Sequence, residues 1–224
     1  MKLHVINSGS SGNCYLLESM EHTLIIECGK GTFENCIKAI ANFEKLDGIL
    51  VSHSHTDHNG DLHKYSRYKI PTYQSYYLVH GEQIEVGPWS IIPVNVSHDN
   101  DVICQSFFIK SNIEQKIVLF STDCFSYSHL TGIMLLDLCL VECNHSNQKL
   151  WAGDYPDRLK TRISQTHCNT DRCREAVQAA RCERFVFCHA SNDNINKAET
   201  IEAFKSEFKN RFFAFAEPNF VIEF

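Results

Sequence analysis

Four side chains able to ligate a metal fall within six positions of His53-Ser54-His55-Thr56-Asp57-His58. Imidazoles and a carboxylate crowded this closely are costly unless a cation shares them, so the grouping points to a metal site. The apolar run Gly48-Ile49-Leu50-Val51 before it reads as a buried strand, and Asn59-Gly60 closes the stretch. While the chain stays extended, His53 and His55 project the same way. As it turns into a helix, Asp57 and His58 point elsewhere and can reach a second ion.

Further along, His98, Asp123, Glu142 and His189 each stand at or just past the end of an apolar strand, where packed sheets can hold side chains around one rim. His53, His55 and His98 then make a three-nitrogen site. Asp57, His58 and His189 make a second, with Asp123 bridging the two. This histidine and carboxylate set needs no thiolate. It suits two divalent ions, zinc or manganese and also iron, with positions left open. Two ions about 3.5–4 Å apart can share a hydroxide and clamp the oxygens of an in-line displacement. The expected chemistry is metal-assisted hydrolysis.

The turn Ser8-Gly9-Ser10-Ser11-Gly12-Asn13 either offers backbone N–H groups to a phosphate, with Ser10, Ser11 and Asn13 at the substrate, or closes an ordinary tight hairpin. His145, Asn192 and Asn194 either contact substrate or cap loops. Cys28, Cys124, Cys168 and Cys188 neighbour site positions and read as small fillers. His4, His22, His63, His80 and His129 fit no pattern.

The elements that must position these groups follow in a legible order. Strands are expected over residues 2–7, 14–18, 23–28 and 47–52, with a helix over 32–45 carrying Phe33, Ile37, Ile40 and Ala41 at helical spacing. A short helix over 60–68 and a return to the sheet at 70–73 precede strands over 84–86, 89–96, 103–109, 116–120 and 138–142. Helices over 155–165 and 170–182, a strand over 184–188, a helix over 197–208 and strands over 211–216 and 220–223 complete the chain. Two sheets packed together and flanked by helices satisfy this order. No repeat, low-complexity tract or linker interrupts residues 1–224, so a single domain is expected.

A chain of 224 residues that is 43% hydrophobic can bury a full core. It has no run of about 18 apolar residues, so no membrane span is expected. Its start, Met1 to Asn7, is strand-like and lacks a signal peptide's apolar core. The eleven cysteines follow no disulfide rhythm, which fits reduced thiols and a cytoplasmic location. A formal charge of −6 argues against a generally basic, nucleic-acid-coating protein. Two divalent ions would still make the site itself locally cationic.

His-x-His-x-Asp-His after a strand, followed by His98, Asp123 and His189, resembles the metallo-β-lactamase superfamily over nearly the whole chain. Ser8 to Asn13 resembles the YycJ/WalJ branch of that superfamily. So do Val141-Glu142-Cys143-Asn144-His145, Tyr155-Pro156 with Leu159-Lys160 and Arg162-Ile163, and His189-Ala190-Ser191 with Asn192 and Asn194. The resemblance implies an α/β chain folded as an αββα four-layer sandwich with the metals on one edge, and a DNA exonuclease or related phosphodiesterase. It implies that Asp57 ligates one metal and orients or deprotonates the water that attacks as a metal-bridging hydroxide. Glu142 and His167 resemble a pair that donates a proton to the leaving oxygen in tRNA-processing relatives.

The expected partner is therefore DNA, and Lys149, Arg158, Lys160 and Arg162 are candidates for a basic groove toward the metals. Three departures stand out. Glu27 occupies the place of Asp in the superfamily's Asp-x-Gly turn, Thr166 to Thr170 replaces a Gly-His-Leu-Ser-Asn segment, and Ala190 replaces Leu. His58 speaks against the secreted antibiotic-hydrolysing branch, and the interval from Asp123 to His189 is too short for members with a large cap domain. The alternative is a small-molecule thioester, ester or lactone hydrolase of the glyoxalase II type, which calls for a narrow apolar pocket. A non-enzymatic metal-binding scaffold is a third reading, and it requires a blocked site.

Overall fold

In the computed structural model, which describes residues 1–40, 42–99 and 101–224, the apolar segments pair into two large sheets. The chain opens with strands β1 (Lys2–Asn7), β2 (Cys14–Ser19) and β3 (His22–Ile26) and helix α1 (Phe33–Ala39). Strand β4 (Leu46–Val51), the one-turn helices α2 (Thr56–Asn59) and α3 (Leu62–Tyr65), and β5 (Thr72–Gln74) follow. Next come β6 (Ile84–Val86), β7 (Trp89–Val96), β8 (Cys104–Ser111), β9 (Ile117–Ser121), α4 (Ser128–Thr131), β10 (Leu135–Leu136) and β11 (Leu138–Glu142). Helices α5 (Asn147–Ala152), α6 (Asp157–Thr166) and α7 (Thr170–Ala179) precede β12 (Arg181–Cys182) and β13 (Arg184–Cys188). Helix α8 (Lys197–Glu207), β14 (Phe212–Phe215) and β15 (Val221–Glu223) end it.

The first sheet has the order β15-β1-β2-β3-β4-β5 and the second β14-β13-β11-β9-β8-β7-β6. Strands β3, β4 and β5 run parallel, as do β9, β11, β13 and β14. Parallel strands covered on both faces must be apolar at successive positions, each face drawing alternate residues. Leu50, Phe120, Leu138, Leu140 and Val186 face the core between the sheets. Their neighbours Leu119, Cys139, Val141, Phe185 and Phe187 pack outward with α4, α7 and α8. Ile49 and Val51 pack outward with Phe33, Cys36 and Tyr65 of α1 and α3. Helix, sheet, sheet, helix is thus the layering, the expected αββα sandwich.

Several boundaries differ from the sequence reading. The helix expected over 32–45 stops at Ala39, because Ile40 turns to extended geometry and is buried there. Asn42 then caps a separate single turn, Phe43–Lys45, by accepting from the Glu44 amide. Ala41 lies outside the described residues. The helix expected over 60–68 is two short pieces, α3 and a tighter single turn, Ser66–Tyr68, which Lys69 ends in the left-handed region at φ 55°. Helices α4 and α5 and strands β10 and β12 had no counterpart in the sequence reading, being too short to show a period.

Candidate metal centre

Strand β4 delivers Ser52 and His53 to the carboxyl end of the first sheet. His55, still extended at ψ 148°, caps α2 and so separates the first two histidines from Asp57 and His58. The loop is held by backbone bonds: the Asn13 amide donates to the Asp57 carbonyl (2.7 Å) and the Cys28 amide to that of His58 (2.8 Å). Gly29 underlies it so closely that a Cβ there would fall onto the Asp57 carbonyl oxygen and lie 2.5 Å from the Asn13 amide. Glu27, at φ 64°, uses both carboxylate oxygens. One accepts from the Ser52 amide at 2.9 Å and the other lies 3.2 Å from His58 Nδ1. The longer side chain thus spans from the end of β4 to the ring of His58.

From the second sheet, His98, Asp123 and His189 arrive beyond the ends of β7, β9 and β13. Asp123 and His189 occupy the left-handed region at φ 47° and 49°. Such backbone is costly for residues other than glycine and here aims both side chains at the first sheet. The Ser8 hydroxyl accepts from the His189 amide at 2.9 Å, tying the opening turn to this corner.

Two groups result. His55 Nδ1 lies 3.1 Å from His53 Nε2 and 3.3 Å from His98 Nε2. His189 Nε2 lies 3.1 Å from Asp57 Oδ2, which is 3.4 Å from His58 Nε2. Asp123 faces both groups, Oδ2 at 2.9 Å from His58 Nε2 and Oδ1 at 3.8 Å from His98 Nε2. Glu142, His167 and His189 also converge with Asp123.

The donor chemistry fits cations. His98 Nδ1 donates to the Thr166 carbonyl (3.2 Å), which leaves Nε2 as a lone pair aimed at His55. His53 Nδ1 is likewise occupied by the Ser52 hydroxyl at 2.9 Å. Convergent imidazole nitrogens repel unless a proton or cation lies between them. Nitrogens about 2.0–2.1 Å from a tetrahedral ion would stand about 3.3 Å apart, close to the spacing around His55. Outer partners on Ser52, Thr166 and Glu27 orient the rings, as metal-ligating histidines require.

These side chains also shift one another's protonation. Burial would depress the His58 ring, but Asp123 and Glu27 hold it well above its ordinary value. Burial, with His58 nearby, pushes His53 far down. Burial would raise the Asp123 carboxyl, yet His189 and His58 keep it well below the usual range.

Beside these groups, Glu142 Oε1 lies 2.7 Å from His167 Nδ1, while Oε2 accepts the Cys124 and Cys168 amides at 3.1 Å each. Burial opposes protonation of His167, but Glu142 and then Asp123 raise it to about 9. His167 and His189 line a cleft of about 340 Å³ with Ser10, Asn144, Tyr155, Leu159, Ile163 and Asn192.

Other expected site residues sit differently. Ser10, Ser11 and Asn192 are exposed, and Ser10 and Asn192 line that cleft. Asn13 is buried, its Oδ1 accepting the Gly9 amide and its Nδ2 donating to the Asp57 carbonyl, so it braces the loop and offers no surface to a substrate. The amides of Gly9, Gly12 and Asn13 are all used internally, so the opening turn acts chiefly as a brace. His145 is fully buried, its carbonyl accepting the Thr170 amide, and cannot touch a substrate.

Of the basic quartet, Arg158 and Arg162 border a depression beside His98, with Arg162 2.8 Å from Asp99. Lys160 is buried against the Trp151 carbonyl, and Lys149 lines a different cavity, so neither contributes to a groove there. Asn144 was missed: its amide donates to the His189 carbonyl at 2.7 Å. So was Cys104, whose Sγ lies 3.8 Å from His53 Nδ1. Cys104 carries no local signal, and Asn144, though inside the Val141 to His145 stretch, owes its role to a partner that folding brings to it.

Residues 8–96 match the family model described as Metallo-beta-lactamase superfamily. Exodeoxyribonuclease WalJ of Streptococcus pneumoniae is 27% identical over 86% of this chain and 82% of its own. Exodeoxyribonuclease YycJ of Bacillus anthracis is 28% identical over 87% and 84%. Among solved structures, the metallo-beta-lactamase fold protein YhfI of Bacillus subtilis superposes with a TM-score of 0.81, covering 100% of this chain and 99% of that one at 18% identity.

Proposed function

We propose that this metal-dependent hydrolase, a chain carrying a metallo-β-lactamase domain, cleaves phosphodiester bonds of DNA as a dinuclear exonuclease. The observation that carries the reading is the Glu142–His167 pair, 2.7 Å apart beside both ligand groups. A phosphodiester releases a basic alkoxide that needs a proton, whereas a thioester releases a thiolate that leaves unaided. Relatives named exodeoxyribonucleases that align over most of the chain support the same substrate class.

His53, His55 and His98 would hold one ion and Asp57, His58 and His189 the other, with Asp123 facing both. Divalent ions bound there supply Lewis-acid stabilisation of phosphoryl oxygens and a water acidic enough to react near neutral pH; zinc and manganese suit the donors. Asp57, steadied by His189 and His58, accepts a proton from the attacking water. His167 gives a proton to the leaving oxygen, and Glu142 keeps its ring charged and oriented. Asn144 fixes the His189 backbone. Ser10 and Asn192 contact the substrate from the cleft rim. We read residues 1–224 as one domain acting in the cytoplasm, where its eleven buried thiols stay reduced.

The test is a substrate panel with metal-loaded protein: 5′-phosphorylated duplex DNA, single-stranded DNA, RNA, bis-p-nitrophenyl phosphate and a thioester. Release of nucleotides from DNA is expected. Thioester turnover without phosphodiester turnover would contradict the proposal.

A further inference from the structure

Residues 62–81 contain no carboxylate, yet carry Lys64, Arg67 and Lys69 and five tyrosines, in a chain of formal charge −6. Tyr65 is buried and Tyr73 packs against the core between the sheets. Tyr76 and Tyr77 do neither. Each is 75% exposed, more than any other tyrosine, phenylalanine or tryptophan among the described residues. Their rings meet edge to face with centroids 5.2 Å apart. Val79 and Ile103, also exposed, widen the apolar patch.

The segment bearing these rings is held firmly. Ser75 Oγ donates to the Ile103 carbonyl at 3.0 Å, Gln105 Nε2 to that of Leu78 at 3.1 Å, and the Gly81 amide to that of Pro93 at 2.7 Å. Its position is tied to the metal centre by register. Strand β5 pairs parallel with β4, Gln74 opposite Val51, so Tyr76 leaves the sheet at the end where Ser52 leads into His53. Gln105 of β8 links the two segments, its backbone amide donating to the Ser52 carbonyl at 3.0 Å and its side chain to that of Leu78.

We propose that Tyr76 and Tyr77 form a stacking platform for unpaired bases of single-stranded DNA approaching the metal centre. Every base presents a π face that a tyrosine ring can cover, and a stretch without carboxylates does not repel the phosphates between bases. Arg67 and Lys69 have no carboxylate partner among the described residues, whereas Lys64 is paired with Asp61. The inference rests on the phosphodiesterase reading and adds to it a preference for unpaired substrate.

Metal-loaded wild type, Tyr76→Ala/Tyr77→Ala and Tyr76→Phe/Tyr77→Phe are compared by fluorescence anisotropy on a hydrolysis-resistant phosphorothioate single strand and on a blunt duplex. The alanine pair should bind the single strand at least about 5-fold more weakly per tyrosine, bind the duplex nearly as before, and turn over bis-p-nitrophenyl phosphate unchanged. The phenylalanine pair should bind like wild type. Wild-type binding by the alanine pair, or equal loss on both DNAs, overturns the platform. Altered self-association with unaltered DNA binding would assign the patch to contact between copies and also overturns it. If wild type binds no oligonucleotide and cleaves only thioesters, the phosphodiesterase reading falls too; if it degrades DNA and the alanine pair is unaffected, the platform alone falls.

Discussion

At the scale of single residues, the proposed mechanism turns on His167 and Glu142, 2.7 Å apart. Glu142 uses one oxygen on the His167 ring and the other on two backbone amides, so its carboxylate is fixed before any substrate arrives. Replacing His167 by Ala should lower kcat on DNA by about 10²–10⁴-fold while metal content, read by elemental analysis, stays full. Unchanged turnover would remove His167 from the mechanism. Because the acid must be protonated, activity should fall as pH rises through its titration, which Glu142 holds above the ordinary imidazole range against the opposing effect of burial. Glu142→Gln removes that charge, so the alkaline limb of kcat/KM should move to lower pH. A limb that stays in place would assign it to another group. At this scale the His53–His58 run was legible because its spacing is local. The bracing roles of Asn13, Asn144 and Ser52 were not, since each depends on a partner brought by folding.

At the scale of elements, the centre depends on how closely the β3 and β4 exits approach. Gly29 has no room for a side chain against the Asp57 carbonyl and the Asn13 amide. Gly29→Ala should destabilise the fold by more than about 2 kcal/mol and weaken metal binding with it, read by thermal melting and metal titration. A variant with native melting and native metal affinity would show that the loop yields where close packing says it cannot. Glu27→Asp shortens a carboxylate that reaches both Ser52 and His58, and should cost about 10–100-fold in metal affinity at little cost in the melting of the metal-free protein. Strands β6, β7 and β13 were legible to the residue because clear turn signals bound their apolar runs. The break after Ala39 was not, because Phe33 and Ile37 suit a helix while tertiary burial of Ile40 sets its end.

For the whole molecule, alternation within strands and helical spacing between them were enough to expect two sheets between helical layers. What local pattern could not supply is the return of β15 to the first sheet, beside β1, after β14 has joined the second. That return is a matter of long-range pairing: Leu3 opposite Ile222, with the Val5 and Asn219 backbones bonded at 2.9 Å. The layered frame brings Glu27 and His53 from one sheet against Asp123, Glu142 and His189 from the other, and the candidate centre lies where the two rims meet. Filling it with cations should stabilise the whole fold, because only the folded chain gathers the ligands. Melting temperature should therefore rise with added zinc or manganese and fall with a chelator; an unchanged melt would mean that no ion is held there.

The most direct test titrates metal-free protein with zinc or manganese while counting bound ions per chain and nucleotides released from a DNA oligonucleotide. A two-ion centre predicts that release stays low up to one ion per chain and rises steeply toward two. Full release at one ion or none, or no release at two, would contradict it.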